Sequence, residues 1–357
     1  MNSEKLIEKY HKTRRYKILF LVLLILALVV MIFVALTVGS TTIGASKLID
    51  VFRGNTQPQI YQVIYNIRMP RIAGAILAGT ALSLSGAVIQ SLLRNPLASP
   101  YTLGISGASA FGAAFAIIVL GAGSSYADSG DLANINNPYI LTISAFLWSL
   151  VGVTVILLLS HFKGAGPEII ILAGIIISSL FGAGISAMQY FADNVQLASI
   201  VFWTFGDMGR ASWNNVTIIA LILTPVILYF FYHRWNYKTL QSGDEYAKSL
   251  GVKVGRVRLT GMVIASLATA VAVSFYGVIA FVGLVVPHIV RRIIGNDEQF
   301  LIPASALFGG LFLLASDTLA RTIIAPVVLP IGILTSFLGA PLFLFLLIKG
   351  MSRTYWK

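Results

Sequence analysis

Few side chains in this chain could do chemistry, and their types and spacing narrow what that chemistry is. Asp317 and Arg321 stand four residues apart, on one face of a helix, where they can pair with each other or point jointly at an outer interface. Gln90 and Gln189 fall at the ends of apolar runs, where interfacial water would satisfy them. His288 follows Pro287 in a short apolar segment, as a hydrogen-bonded structural histidine would. Ser242-Gly243-Asp244-Glu245 has the S-x-x-E spacing of a capping box, and Gly251 can supply a left-handed stop, so a short helix is expected over 242–251. Asp244 and Glu245 suit the positive start of that helix and Lys248 its later turn, while Tyr246, Ala247 and Leu250 form its apolar side. A short capped helix of this kind suits a groove on a partner.

The chemistry that is missing is as informative. No G-x-x-x-x-G-K-[ST] loop occurs, so the chain does not cradle a nucleotide by phosphate-loop geometry. No G-x-S-x-G elbow and no H-E-x-x-H pair is present, and Phe205-Gly206-Asp207 is only a faint echo of an aspartyl motif. Zero cysteines exclude disulfides, thiolate metal sites and cysteine nucleophiles, and four histidines argue against a multi-ligand metal site. No catalytic residue, metal ligand or bound cofactor is therefore assigned, and an enzyme is not expected.

The elements that must hold these residues follow from composition. With 57% hydrophobic and 11% charged residues over 357 positions, the chain cannot cover itself with a solvated polar skin. It reads as an all-α integral membrane protein. Stretches of about 20 apolar residues, enough to cross about 30 Å of hydrocarbon, number ten. They lie near 17–38, 70–92, 100–121, 139–160, 168–190, 213–232, 257–276, 279–294, 301–322 and 331–349, the seventh and eighth divided only by Gly277. The expected organisation is a tail over 1–16, one transmembrane domain over 17–350 and a tail over 351–357. The first apolar run is too long for a cleavable signal core and reads as an anchor.

With the N-terminus inside, Lys47, Arg53, Arg68, Arg71, Arg210 and Arg321 fall outside and the other 19 of the 25 Lys and Arg residues inside. The net charge of +12 is then mostly an orientation signal, and nucleic acid is not an expected partner. Small residues recur every four positions in three spans: Ala75, Gly79, Ser83, Ala87; Gly104, Ala108, Gly112, Ala116; and Gly174, Ser178, Gly182, Ser186. Such ladders predict close helix packing.

Residues 68–113, RMPRIAGAILAGTALSLSGAVIQSLLRNPLASPYTLGISGASAFGA, closely resemble the signature of the FecCD-type permeases. GVIAFVGLVVPHIVRRIIGND (277–297), then LIPASALFGG, ASDTLAR and LPIGILTSFLGAPLFLFLL, look like the same family's C-terminal half. WTFGDMGRASW (203–213) is similar to its short external helix after the fifth span. The resemblance implies type II ABC importer permease architecture: ten spans per subunit, a second permease copy as homodimer partner, two ATPase subunits that bind the ATP and magnesium, and an extracytoplasmic substrate-binding protein. It implies a bacterial or archaeal cell membrane, both termini cytoplasmic, and an iron chelate as substrate, a ferric siderophore first, haem or cobalamin next. By the same resemblance Arg68, Arg71 and Arg321 match arginines that dock acidic residues of the binding protein, and GDEYAKSLGV (243–252) matches the helix that couples to the ATPase. Met188, Gln189, Thr335 and Ser336, on the fifth and tenth spans, are the candidates for the substrate path. An ion-coupled secondary transporter would instead want buried acids near the midplane, where Asp317, with Arg321 one turn away, is nearly the only one.

Overall fold

The structure, a computed structural model, describes residues 3–39, 43–53, 57–122, 138–162 and 167–350, and no strand occurs among them. In chain order the helices are α1 (Ser3–Thr37), α2 (Ala45–Phe52), α3 (Pro58–Gln62), α4 (Met69–Leu93), α5 (Ile105–Ile118), α6 (Pro138–Phe162), α7 (Pro167–Phe191), α8 (Asn194–Thr204), α9 (Trp213–Gln241), α10 (Asp244–Ser249), α11 (Val254–Tyr276), α12 (Val282–Ile294), α13 (Glu298–Ala320) and α14 (Ile331–Gly350). A π-helical turn, Val63–Arg68, joins α3 to α4, and a 3-10 turn, Met208–Arg210, precedes α9. Helix α1 already begins at Ser3, so most of the expected 1–16 tail continues the first span as helix. The expected C-terminal tail, 351–357, lies outside the described residues.

Seven helical stretches are long and apolar enough to cross a membrane: α1, α3 through α4, α6, α7, α9, α11 and α13. The remaining three expected spans correspond to α5, α12 and α14, of which α5 and α12 have only 14 and 13 residues. At 1.5 Å per residue these reach about 20 Å, short of the roughly 30 Å needed. Non-helical chain ahead of each makes up the difference. A Cβ at Gly283, near the start of α12, would lie 2.8 Å from the Leu82 carbonyl oxygen and 3.2 Å from Pro100 Cδ. Residues 95–104 have therefore climbed back to the middle of α4 before α5 begins, and 277–281 end at the same depth.

Irregular backbone inside the bundle survives only where protein satisfies it, and this one is held from its outer end onward. Asp207 N donates to Tyr276 O at 2.8 Å, Ile331 N to Gly206 O at 3.0 Å and Gly332 N to Phe205 O at 2.9 Å. Gly206 (φ +68°) and Gly277 (φ +80°) make the approach possible, since a Cβ on Gly206 would lie 2.5 Å from the Val278 carbonyl oxygen. This turn divides the seventh span from the eighth.

Helix α4 is the axis of the packing, buried along nearly its whole length against α13, α11, α9 and α12. Its ladder does what the spacing predicts: a Cβ at Gly79 would collide with the Gly309 carbonyl of α13, and Ser83 Oγ donates to Ser305 O at 2.7 Å. In α5, Gly112 faces Ser144 of α6, whose Oγ donates to Gly112 O at 2.7 Å, and Ala108 faces Gly152. Gly104 instead caps α5 with φ +77°. The third ladder holds only in part. Gly174 meets the Thr102 carbonyl, but a Cβ at Gly182 would meet nothing within 4 Å and Ser186 is exposed, so half of the α7 stripe has no partner among the described residues.

Candidate functional site

At one end of the bundle the three arginines of interest come together, two of them on a single acid. Arg68 ends the π-helical turn and Arg71 lies three residues on, so both face the last turn of α13, where Asp317 and the helix-ending Arg321 sit. Arg71 Nε donates to Asp317 Oδ1 and Oδ2 at 3.0 and 3.1 Å, and its Nη2 to Oδ1 at 2.9 Å. Arg321 Nε lies 3.2 Å from Oδ2, one turn along the same helix. The last turn of α1 closes the group from above: Leu36 O accepts from Arg68 Nη1, and Ala35 O from Arg321 Nη2 at 3.4 Å. Carbonyls at a helix C-terminus have no intrahelical partner and carry the negative end of its dipole, so two guanidinium groups are well matched to them.

The arginines therefore come together, but not as an open rim. Arg68 is 4% and Arg321 5% exposed, and Asp317 is fully buried. The structure corrects the expectation of guanidinium groups presented outward: Asp317 and the end of α1 engage them from within. The pairing of Asp317 with Arg321 was legible from the spacing, whereas the stronger partner, Arg71, lies 246 positions away. Asp207 is the more open acid at this end; its Oδ1 accepts from Gly209 N at 2.7 Å and lies 3.9 Å from Arg71 Nη2. Arg210 donates to Phe202 O at 3.3 Å and lies over the Trp203 ring; burial pulls it below the usual arginine value, with Asp207 opposing.

The segment 203–213 is not itself the helix after the fifth span. That helix is α8, which starts at Asn194 and ends inside the segment at Thr204. Asp193 caps it, accepting from Val195 N and Gln196 N at 2.9 and 2.8 Å, while Gln196 Oε1 accepts from Asp193 N at 3.1 Å. The D-x-x-Q spacing was the available signal.

The capping box expected at Ser242 does not form. Helix α9 runs on to Gln241, beyond the predicted end at 232, so Ser242 closes α9 in helical geometry. Gly243, at φ +113°, then turns the chain and leads α10 without a side-chain cap. Asp244 is held instead by Arg258 Nη2, at 3.1 Å to each carboxylate oxygen, and by Arg94 Nη2 at 3.1 Å. Arg94 follows the end of α4 at φ +47°, a conformation that ordinary residues adopt at a cost. Gly251 closes α10 at φ +82°, as expected, its N–H donating to Lys248 O at 2.9 Å. Of the expected apolar side only Ala247 is buried. Tyr246 and Leu250 are 54% and 56% exposed, and Glu245 and Lys248 face outward with them.

Around this end lie charges with no local signature. Glu298 is fully buried, and its Oε1 accepts from Ser91 Oγ at 2.7 Å and from Gln241, and lies 3.4 Å from Arg291 Nη1. Asp297 holds Lys17 Nζ at 3.0 Å, 280 positions away, and Lys238 Nζ at 3.3 Å. Burial pushes the Asp297 carboxyl up, but the hydrogen bonds and charges of Lys17 and Lys238 outweigh it and hold the group below its ordinary value.

The path candidates are divided. Met188 and Gln189 are half-buried near the end of α7. Thr335 is buried and Ser336 half-buried on α14, and both hydroxyls donate to Gly332 O, at 3.2 and 2.7 Å. Gln90 is not interfacial: it is 1% exposed, with Nε2 donating to Leu284 O at 3.3 Å. His288 packs beside Phe343, ring centroids 6.2 Å apart. Among the described residues no group of three His, Asp or Glu is placed to hold a metal ion.

With this geometry in view, likeness to known proteins is extensive. The chain matches the FecCD transport family over residues 26–349. It is 53% identical, over 97% of this chain and 99% of the other, to a protein of Methanocaldococcus jannaschii assigned as an ABC transporter permease. It is 36% identical, over 88% and 92%, to the hemin transport system permease protein of Yersinia pestis. Among solved structures, an inward-facing conformation of a transporter assigned to the metal-chelate ABC type superposes with a TM-score of 0.81 at 31% identity, covering 92% of this chain and 98% of that one.

Proposed function

Since the chain belongs to the FecCD transport family, and so is a multi-pass permease of the ABC importer type, we propose that it translocates an iron chelate delivered by an external binding protein and driven by a separate ATPase. A ferric siderophore is the first candidate, with haem or cobalamin next. The hemin-system relative and the metal-chelate type structure support that substrate class. The assembly is two copies of this chain with two ATPase subunits, in the cell membrane of a bacterium or archaeon, with both termini and α10 on the cytoplasmic side.

The observation that carries the coupling is the two-sidedness of α10. Ala247 and the Asp244 clamp root it in the ends of α4 and α11, while Tyr246 and Leu250 are left as an apolar outer surface. A helix that is rigidly anchored and apolar outside suits a groove on a partner, and movement of that partner would pass directly to α4 and α11. ATP binding by the ATPase would then bias the permease between inward- and outward-facing states, through contacts that differ between them.

At the opposite end Arg68, Arg71 and Arg321 supply the positive field for an acidic binding protein. Three guanidinium groups against Asp317 and the half-exposed Asp207 leave an excess of positive charge there. We read the open half of the α7 stripe, Gly182 and Ser186, as facing the second copy; Gln189 shares that helical face and would look toward the shared path with Ser336, whereas Met188 packs on the core and Thr335 is buried.

Purification of the tagged chain from native membranes in mild detergent tests this reading. Two permeases with two ATPases, and ATP-dependent uptake of a ferric siderophore, haem or cobalamin in vesicles, are the expected results. A lone permease whose uptake survives ATP depletion and collapses with the ion gradient would replace it with a secondary transporter.

A further inference from the structure

A cavity of about 340 Å³ opens beside α10, between the ends of α4, α9 and α12. Arg94, Lys238 and Arg291 line it, with Gln90, Gln241 and Asn296. Arg291 is the informative residue. It is 6% exposed, and Glu298 lies 3.4 Å from its Nη1, yet its Nε and Nη2 have no hydrogen-bond partner among the described residues. A buried guanidinium group with two unused donors is costly unless something completes it.

The charge census points the same way. Arg94 and Arg258 share Asp244, Lys17 and Lys238 share Asp297, and Arg291 has Glu298. Five cations stand against three carboxylates, and none of the three carboxylates lines the cavity. We propose that this cavity is a binding site for a phosphate-class oxyanion, gripped by Arg291, Arg94 and Lys238. A doubly charged phosphate matches the excess of positive charge, and the guanidinium groups can meet its oxygens in pairs. The donors come from separate elements that converge on one space, which favours an anion with several acceptor oxygens over a halide. Two sources offer this chemistry at the boundary of a membrane: free phosphate and a phospholipid headgroup, for which basic pockets between transmembrane helices are a recurring receptor. Because Arg94 also grips Asp244, an anion that draws it into the cavity loosens the seat of α10.

The full-length chain in detergent provides the test, with the unfolding midpoint followed through its five tryptophans. Inorganic phosphate at millimolar concentration is expected to raise the midpoint, where chloride and acetate at matched ionic strength do not. Arg291→Gln and Lys238→Gln should each weaken the apparent affinity by about tenfold or more, the effect of deleting a charge-assisted hydrogen bond. Arg291→Gln also strips Glu298 of its cation, so if that variant does not fold, Lys238→Gln, whose side chain is 42% exposed, decides alone. Native mass spectrometry separates the sources: a retained phospholipid that the variants lose assigns the headgroup, and a phosphate response without retained lipid assigns the free ion. Three results overturn the site: no phosphate-specific shift, an equal shift in the folded variants, or variants that lose a co-purifying ATPase while responding to phosphate as before. The last would make the cavity a socket for a partner's acidic side chain.

Discussion

Arg71 and Asp317, 246 positions apart, form a two-oxygen ion pair that joins the start of α4 to the end of α13. Asp317 is fully buried and also serves Arg321, so a single buried carboxylate is shared by two guanidinium groups. Asp317→Asn should therefore destabilise the detergent-solubilised protein by about 3–5 kcal/mol, the usual cost of leaving a buried charge unpaired. Thermal unfolding checks this, and an unchanged midpoint would mean that water or another group replaces the carboxylate.

The glycines of α13 and α7 should respond in opposite ways. A methyl group at Gly309 runs into the Gly79 carbonyl and Ser83 Cβ, so Gly309→Ala must push α4 and α13 apart, costing at least about 1–3 kcal/mol. Gly182→Ala meets no atom within 4 Å and should leave the fold of the single chain intact. If the open half of the α7 stripe faces the second copy, Gly182→Leu will reduce the dimer fraction in cross-linking without lowering the amount of folded protein.

For α10, anchoring and partner contact can be tested separately. Asp244→Asn weakens the hold of Arg94 and Arg258, and Ala247→Pro removes the N–H that donates to Gly243 O at 3.0 Å. Both should reduce ATPase co-purification by disturbing the helix. Tyr246→Ala together with Leu250→Ala should reduce it equally while leaving thermal stability within about 0.5 kcal/mol, as expected for exposed positions. Normal assembly in the double variant would remove α10 from the interface.

Acid should release α1 at the α10 end. Asp297 sits below its ordinary value in the folded protein because Lys17 and Lys238 overcome its burial, so it contributes stability above the unfolded value, near 4. That contribution is lost as pH falls through the folded value. The stability difference between wild type and Lys17→Met should then be constant from pH 7 to about 5 and shrink below about 4. A difference independent of pH down to 3 would assign Lys17 a packing role only.

What could be read from the chain was whatever is local and periodic. Apolar runs mark the spans because a helix must be apolar over a bilayer's thickness wherever lipid surrounds it. The Gly79 and Gly112 ladders were visible because close packing repeats every four residues on one face. Gly251 was visible as a stop because left-handed geometry favours glycine. The Ser242 box was misread for the same reason that local patterns usually succeed: its spacing was right, but α9 ran through Ser242, and Asp244 had stronger partners in Arg94 and Arg258. The short reach of α5 and α12 was hidden because hydropathy does not distinguish an apolar helix from apolar extended chain buried in protein. Arg71 with Asp317, Lys17 with Asp297 and Arg291 with Glu298 were hidden because a charge's partner in a membrane protein is chosen by which helix ends meet. That meeting is decided by helix packing around α4, and so only the tertiary structure turned outward-reading arginines inward and gathered basic residues from separate helices around one cavity.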